Sequence, residues 1–524
     1  MPNREPNTEP PVRKWPIVLA GLLVLSLAVA AFVSTRLSPY IRSWTVKALR
    51  ERYESDIAFE KLDVLSVFPE IQVSGKGVAL RYRGRQDVPP LASIRRFSVE
   101  GSLFGFLRSP RRFSRLELDG LEINVTHSQE QKQSADRDEA KKKRRQLYPF
   151  VIAEVVANGA VLNVFPRRPD KPPHTFNISK LFLRSVGIGQ AMSFQATLTN
   201  PTPPGLIDST GKFGPWRADD PGRTPVSGTY TFGHADLNVF RGIGGTLSSE
   251  GKYEGVLDRI EVQGETDTPD FTVTISGNPV HLKTEFIAIV DGRDGDTLLQ
   301  PVTAHFLSTT LVCKGGVIGK KGVPGKTVSL DVTTSGGRLE DLIYISAKGE
   351  KPPVVGDVSL HTKFIVPPGS QEIAEKLRLD GEFQVRQARF TMPEVQQKLE
   401  ALSRRGQGVK NAPEDETTAS NFKGHFRLQN AVMTFPELTF TVPGAWVGLH
   451  GSYGLKSEQL DFHGALRLQA KVSQTTIGIK SFLLKAIDPL FEKKGAGTVL
   501  PLNITGNRDH PSFKVDIRRA IFKR

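Results

Sequence analysis

Polar and apolar residues alternate along most of the chain from Ile57 onward, with the two-residue period of β-strands. The alternation is most regular in the last third, where it predicts three strands that each have one apolar face. The apolar positions of these strands are Leu377, Leu379, Phe383, Val385, Phe422, Phe426, Leu428, Leu460, Phe462, Leu466, Leu468 and Ala470. Each strand also carries one glycine on that face, where we expect a bend or the close approach of another backbone: Gly381, Gly424 and Gly464.

Shorter alternating runs with turn residues between them fill the rest of the chain. Gly75-Lys76-Gly77 is predicted as a turn between two strands, and Gly120 as the break between two short strands in 116–125. The middle predicts strands at 271–275 and 327–332, and a final strand is expected at 499–505. The residues from Pro201 to Pro225 are rich in proline and glycine, which favours a loop.

One stretch near the N-terminus has no alternation, because it is apolar throughout. No charged residue lies between Pro16 and Val33, and a helix over residues 15–33 would be about 28 Å long, close to the thickness of the hydrocarbon core. We therefore predict a transmembrane helix at 15–34, a cytoplasmic tail at 1–14 and the bulk of the chain on the other side. The alternative is a signal peptide that is cleaved after Ala28-Val29-Ala30.

Two further helices are predicted. Ser38-Pro39 is typical of a helix start, and residues 40–49 form an amphipathic pattern that fits either a membrane surface or a plug at the end of a sheet. Residues 482–491 carry an apolar stripe at helical spacing that Pro489 should kink.

A highly charged segment separates the N-terminal strands from the middle ones. Residues 129–147 contain almost nothing apolar, which predicts a disordered insertion that breaks the sheet and can be removed without loss of the fold. The predicted regions are therefore an N-terminal β region with its helix at 35–128, the insertion, a middle β region at 148–355 and a C-terminal region at 356–524.

Composition restricts the chemistry. The 524 residues carry a net charge of +15 and include one cysteine, Cys313, which excludes an internal disulfide or a thiolate cluster. For a chain outside the cytoplasm, anionic lipid headgroups are a more probable partner than nucleic acid, and we expect no nucleic-acid binding. No catalytic or metal-ligand motif is complete, since the phosphate-loop-like Gly325-Lys326-Thr327 has Lys320 where the first glycine is required. We therefore expect no enzyme, no metal and no cofactor.

Several segments at the two ends of the chain resemble the AsmA family. They are Phe68–Val73 ahead of glycine-punctuated strands, 98–125, the helix and loop at 396–408, 422–426 and 500–506. The resemblance implies an inner-membrane protein of Gram-negative bacteria with its bulk in the periplasm. It is similar to the TamB-related repeating-β-groove proteins, which are linked to lipid movement between the membranes and to outer-membrane homeostasis.

The expected fold is mainly β with a few helices: an N-terminal transmembrane helix followed by a long, curved, mostly antiparallel sheet that forms an open groove with an apolar inner face. Phospholipid acyl chains would slide along that face. The candidate lining residues are Leu379, Phe383, Val385, Phe426, Leu428, Phe462, Leu466 and Leu468. Periodicity fits a closed sandwich equally well. A second function class also stays open, a membrane-anchored scaffold that binds outer-membrane or other envelope proteins by strand addition.

Overall fold

The computed structural model of the chain describes residues 39, 43, 55–58, 60–66, 70–82, 89–90, 92–125, 150–166, 173–187, 190–217, 220–320, 322–349, 351–407, 420–469 and 498–515. Within these residues no helix is both long enough and apolar enough to cross a membrane. The predicted span at 15–34, the charged insertion at 129–147 and the helix at 482–491 lie outside the described residues. So does the predicted helix at 40–49, except for Ser43, which is helical.

The chain divides into two compact units, and the division falls inside the region 148–355. The first unit comprises residues 1–166, 173–198 and 210–225, and the second comprises 167–172, 199–209 and 226–524.

The first unit is a sheet whose strands follow one another along the chain. Its strands are β1 (Ser55–Ala58), β2 (Lys61–Ser66), β3 (Glu70–Tyr82), β4 (Ala92–Ser102), β5 (Arg111–Val125), β6 (Phe150–Val164) and β7 (His174–Gly187), with β8 (Met192–Pro201) and β9 (Pro204–Phe213) contributing residues to both units. The pairs β3–β4, β4–β5 and β6–β7 are antiparallel, whereas β5 and β6 run parallel. The prediction that the sheet breaks between Val125 and Phe150 is therefore wrong, because the strands on either side are direct neighbours.

Glycines in this unit lie within strands rather than between them. The predicted turn at Gly75-Lys76-Gly77 is wrong, since β3 runs through it, and the predicted break at Gly120 is wrong because β5 is one strand. Gly75 leaves room for the Phe97 ring, while Gly77 and Gly120 adopt φ values of 62° and 65° that other residues avoid. The pairing register continues across both positions, so a glycine can serve packing or a positive φ without ending a strand.

The core of the first unit lies on one face of β5 to β8. Leu118, Ile152, Val155 and Ile178 are all buried there, and they come from the successive strands β5, β6 and β7. A smaller cluster forms around Ile71, Val73 and Phe106 at one end of β3.

The second unit is an antiparallel meander. Its strands are β10 (Pro225–Asp236), β11 (Ile243–Gly244), β12 (Thr246–Val256), β13 (Arg259–Val273), β14 (Val280–Val290), β15 (Thr297–Phe306), β16 (Thr309–Gly319), β17 (Lys326–Arg338), β18 (Val354–Val366), β19 (Arg378–Phe390), β20 (Ser420–Gln429), β21 (Val432–Val442), β22 (Ala445–Gly454), β23 (Gln459–Leu468), β24 (Thr498–Asn507) and β25 (His510–Val515). From β12 to β25 each strand pairs with the next. The mainly β, mostly antiparallel and open architecture is therefore confirmed.

Register shifts occur in many of these pairs, among them β13–β14, β17–β18 and β19–β20. Bulges of this kind bend a strand and increase its twist. At the β19–β20 shift, Gln387 adopts a φ of 52°, which places the extra residue without interrupting β19.

One prediction about the middle of the chain is wrong, and two predicted strands are found with different bounds or a different neighbour. The loop predicted from Pro201 to Pro225 contains β9. The sequence does not reveal this strand because prolines cluster on both sides of it, although within the strand only the first residue is a proline. The strand predicted at 271–275 ends at Val273, and 498–507 is followed by one more strand, β25, which includes Pro511.

Four α-helices lie within the described residues: α1 (Leu103–Leu107), α2 (Leu339–Ser346), α3 (Ile373–Lys376) and α4 (Pro393–Gln407). Short 3-10 helices occupy Pro221–Arg223 and Leu237–Val239. Helix α4 lies where the sequence predicts a helix, and it packs against the C-terminal strands of the second unit.

Candidate functional site

An uninterrupted row of uncharged residues crosses the second unit from β12 to β23. Each member is the direct partner of the next in the neighbouring strand, and directly opposed residues point to the same face of a sheet. The row consists of Tyr253, Val262, Ala288, Leu299, Gly315, Leu330, Phe364, Leu379, Leu428, Met433, Tyr453 and Leu460. With strands about 4.8 Å apart, the row extends for roughly 50 Å. We call it the apolar row.

Most members of the apolar row are half-buried rather than buried. Ala288 and Leu428 are buried, whereas Val262, Leu330 and Leu460 retain contact with solvent. A second layer packed over this face would leave a central row fully inaccessible. The exposure of the row therefore fits an open apolar surface better than the inside of a sandwich.

The two tyrosines of the row, Tyr253 and Tyr453, are themselves uncharged. Burial raises the pKa of Tyr253, although its hydrogen bond with the Ser209 hydroxyl, at 2.7 Å, acts in the opposite direction. Burial also raises the pKa of Tyr453. Both phenols therefore stay neutral at physiological pH.

The opposite face of the same strands is polar and paired. Asp380 accepts a hydrogen bond from Arg427 Nε at 3.1 Å across β19 and β20, and His425 Nε2 lies 2.8 Å from the same carboxylate. His463 and Asp461 are likewise 2.8 Å apart on β23. The sheet thus separates an apolar surface from a charged one, as the alternation predicts.

Glycines on the apolar face allow strands to approach closely, as expected. A Cβ on Gly424 would lie 2.6 Å from the Glu437 carbonyl oxygen, and one on Gly381 would collide with the His361 carbonyl. At Gly464 the added atom would meet the backbone of Gly448. These positions therefore require glycine.

Phenylalanines beside the row form a ladder of ring contacts. The Phe383 ring lies 6.0 Å from Phe426 and 6.3 Å from Phe435, and Phe435 lies 5.6 Å from Phe462. These centroid distances fall within the range of favourable aromatic pairs. The ladder fixes the apolar surface across β19 to β23.

A cavity of about 690 Å³ opens where α4 covers the end of this surface. Strands β20 to β25 supply one wall, and α4 supplies the other through Val395, Leu399 and Leu402, which recur at helical spacing. The helix is held on the sheet by its apolar contacts and by the Ser403 hydroxyl, which donates to the Pro443 carbonyl at 2.9 Å. The volume is within the range of pockets that bind small molecules.

Lys398 is the only charged residue among the described residues that line the cavity. Its ammonium group lies 5.6 Å from the centroid of the Phe513 ring, a cation–π distance. Phe513 belongs to β25 and is 44% exposed, so this pair marks the open side of the cavity. A cation therefore stands at the mouth of an apolar chamber.

The structure divides the eight predicted lining residues into three groups. Phe462, Leu466 and Leu468 line the cavity. Leu379 and Leu428 belong to the apolar row, with Phe383 and Phe426 in the ring ladder beside it. Val385 packs instead with Val358 and Ala388 in a buried cluster below α2.

Sequence reasoning missed the part of the cavity that α4 provides. The alternation on the strands does not show where a helix folds back, although the apolar spacing of Val395, Leu399 and Leu402 signals a helix with one buried face. Leu500, Leu502 and Ile504 of β24 also line the cavity and lie in a strand that was predicted but not assigned to the site.

A second cavity, of about 550 Å³, has different chemistry. It is lined by residues of β9, β10 and β12 to β15, and its walls include Glu250, Glu265, Asp267 and Lys283. Lys283 Nζ is 3.7 Å from an Asp267 oxygen, so the charges are partly paired. No group of His, Cys, Asp and Glu in the described part of the chain is arranged to hold a metal ion.

No family model, curated protein or solved structure matches the chain. What the site can bind therefore follows from its own residues. They form an apolar surface about 50 Å long, a chamber beneath an amphipathic helix and a lysine at the chamber mouth.

Proposed function

We propose that this is a membrane-anchored lipid-handling protein whose second unit holds acyl chains against the apolar row. The observation that carries the proposal is the uninterrupted, half-buried row of twelve uncharged residues from Tyr253 to Leu460. An acyl chain lying across the strands meets no charged side chain along that path. Its headgroup remains outside, in water.

Energetics favour movement along such a surface. Removing a methylene group from water contributes about 0.8 kcal/mol, so a chain of many methylenes binds favourably wherever the surface is apolar. Because the row is continuous, a lipid that shifts from one strand to the next exchanges one apolar contact for another. The barrier to movement is therefore small compared with the total binding energy.

The cavity beneath α4 provides an end position for the acyl chain. Its walls are apolar, whereas Lys398 at the mouth offers an ammonium group that can pair with a phosphate oxygen. A phospholipid would then bind with its tail inside and its phosphate beside Lys398. Neither step requires a cofactor or a metal.

The sequence resemblance to the AsmA family supports the cellular setting. It favours an inner-membrane anchor at residues 15–34, a periplasmic bulk and a role in outer-membrane homeostasis. The open sheet is the architecture that a groove requires.

Site-specific photo-crosslinking in cells tests the proposal. A photoreactive amino acid at Phe364 or Leu460, both in the apolar row, should give phospholipid adducts that mass spectrometry identifies. The matched controls are Lys363, which precedes Phe364, and Asp461, which follows Leu460. Both point to the polar face and should give no lipid adducts. Only protein adducts at Phe364 and Leu460 would exclude lipid from the row.

A second function, strand addition to an envelope protein, is favoured by one observation. Within the described residues β25 pairs on one side only, with β24, so its other edge presents free backbone donors and acceptors. Crosslinks from Lys514 to a discrete outer-membrane protein, without lipid adducts in the row, would support this alternative.

A further inference from the structure

A small surface of the first unit exposes large apolar side chains. Phe104 in α1 is 74% exposed, the largest value among the described large hydrophobic residues, and Leu107 of the same helix is 62% exposed. Leu65, at the end of β2, is 61% exposed. Exposed apolar groups that cluster mark interaction sites, whereas single ones do not.

Strand pairing places these residues at one end of the sheet. Ser102 is the last residue of β4 and caps α1, and it pairs with Glu70 at the start of β3. Ser66, beside Leu65, pairs with Gln72 of the same strand end. Leu65 and α1 therefore lie at the same end of the sheet, while Phe104 and Leu107 lie together on α1 itself.

The outward direction of Phe104 and Leu107 is fixed by the packing of the rest of α1. The Ser102 hydroxyl accepts a hydrogen bond from Gly105 N at 2.9 Å and so sets the start of the helix. Leu103 and Phe106 pack inward on the cluster that contains Ile71 and Val73. Since Phe104 and Leu107 each come one position later, they point away from that core.

The chain segment that carries α1 is rich in arginine, although the exposed Glu70, which pairs with Ser102, also lies at this end of the sheet. From Gly101 to Leu116 the chain contains four arginines and no acidic residue. Arg108 and Arg112 are exposed, and Arg111 lies over the Phe106 ring at 5.0 Å from its centroid. Apolar side chains flanked by arginines are the combination that enters the interface of an anionic bilayer.

We infer that Phe104 and Leu107, with Arg108 and Arg112, form a docking surface for an anionic lipid bilayer. Apolar side chains enter the headgroup layer while the two guanidinium groups pair with phosphates. The anionic headgroups account for the local excess of arginine, which a neutral apolar partner would not. This contact goes beyond the lipid-holding role of the second unit and does not depend on it.

Environment-sensitive fluorescence at one position tests the inference in the full-length protein. With Cys313→Ala to remove the single native thiol, Phe104→Cys is labelled with nitrobenzoxadiazole and reconstituted into vesicles of phosphatidylcholine, with or without phosphatidylglycerol. We expect the emission to rise, shift to shorter wavelength and become quenched by doxyl-labelled lipid when phosphatidylglycerol is present. Arg108→Glu with Arg112→Glu should abolish the shift.

A label at Leu307→Cys is the matched control, since Leu307 is 57% exposed in the turn between β15 and β16 of the second unit. It should show no shift. Equal shifts with and without phosphatidylglycerol, or none at position 104, would overturn the inference. A shift that depends on protein density instead would identify a second copy of the chain as the partner and would also overturn it. Lipid adducts at Leu460 report on the second unit, so the two proposals can fail separately.

Discussion

Phe426 and Leu460 lie on the same apolar face but differ in burial, which gives a residue-level prediction. Phe426 is 7% exposed and contacts the Phe383 ring, whereas Leu460 is half-buried. Phe426→Ala should therefore lower the free energy of unfolding by about 3–5 kcal/mol, and Leu460→Ala by only about 1–2 kcal/mol. Urea denaturation of both variants measures the difference. Equal losses would show that the apolar row is packed as tightly as the ladder beside it.

His463 predicts a pH dependence on the polar face. Its hydrogen bond to Asn503, at 3.0 Å, and the nearby Asp461 carboxylate raise the pKa of His463 above the usual 6.5. The protonated form is thus favoured in the folded state, so this stabilisation is complete below pH 6.5 and is lost as pH rises through the folded-state pKa.

Asn503→Ala should move the pKa of His463 back toward 6.5, because it removes the largest cause of the shift. Titration of the imidazole signals by NMR provides the measurement. An unchanged His463 midpoint would mean that Asp461 alone sets it.

At the level of elements, α4 determines whether the end chamber is open. Ala401 lines the cavity, so Ala401→Trp should fill part of its volume of about 690 Å³. We expect a thermal midpoint within a few degrees of the parent and a loss of lipid crosslinking from Leu500, which lines the same cavity. Gln397→Trp adds the same bulk on the exposed side of α4 and should leave crosslinking intact. A loss of crosslinking in both the Ala401→Trp and the Gln397→Trp variants would indicate damage to the helix itself.

The parallel pairing of β5 and β6 revises the expectation for the charged insertion. Phe150 pairs with Arg111 and Val164 with Val125, so the connection must return over most of a strand, roughly 46 Å. With residues 129–146 deleted, 126–128 joined to 147–149 reach about 25 Å at most. The deletion should therefore unfold the first unit, contrary to what composition alone suggests.

A Gly/Ser linker of equal length in place of residues 129–146 separates length from sequence. It should restore the far-UV circular dichroism and the protease resistance of the first unit, because only the span of the connection matters. Failure of the linker variant would show that the charged residues themselves contribute to the fold. A stable deletion variant would contradict the parallel pairing.

For the molecule as a whole, the sequence predicts one membrane crossing. Alkaline phosphatase fused after Arg36 should be active, and a reporter at the N-terminus should behave as cytoplasmic, because residues 15–34 are predicted to form the anchor. The mature protein should retain residues 1–30. An N-terminus that begins at Ala31 would instead identify a cleaved signal peptide.

The sequence predicts the faces of individual strands better than their arrangement. Alternation correctly assigns the apolar sides of β19, β20 and β23 because each strand has one apolar and one polar side. It does not give the register, since bulges such as that between Val385 and Ala388 shift pairing by residues that look ordinary in sequence. The apolar row therefore becomes visible only when twelve strands are aligned.

Punctuation by glycine and proline is the less reliable signal. Gly75 and Gly77 favour a turn, but β3 continues, because a ring needs the first position and the second adopts a positive φ while the pairing with β4 keeps its register. The prolines around β9 mislead in the other direction, because they favour a loop although a strand is present. They flank the strand, so the residues that pair with neighbouring strands are not prolines. The chamber beneath α4 also could not be predicted, because it depends on contacts between a helix and strands far apart in sequence.

The order of strands in the second unit has a consequence for how the chain acquires its structure. Because every strand from β12 to β25 pairs with the next, most pairings close a short loop, and the entropic cost of each is modest. The longer connections join β19 to β20 and β23 to β24. Contacts are local for a β protein, which favours rapid folding, and neighbouring hairpins can contribute additively, as in repeat proteins. The sheet can then form hairpin by hairpin as each strand emerges, before synthesis has reached the last one.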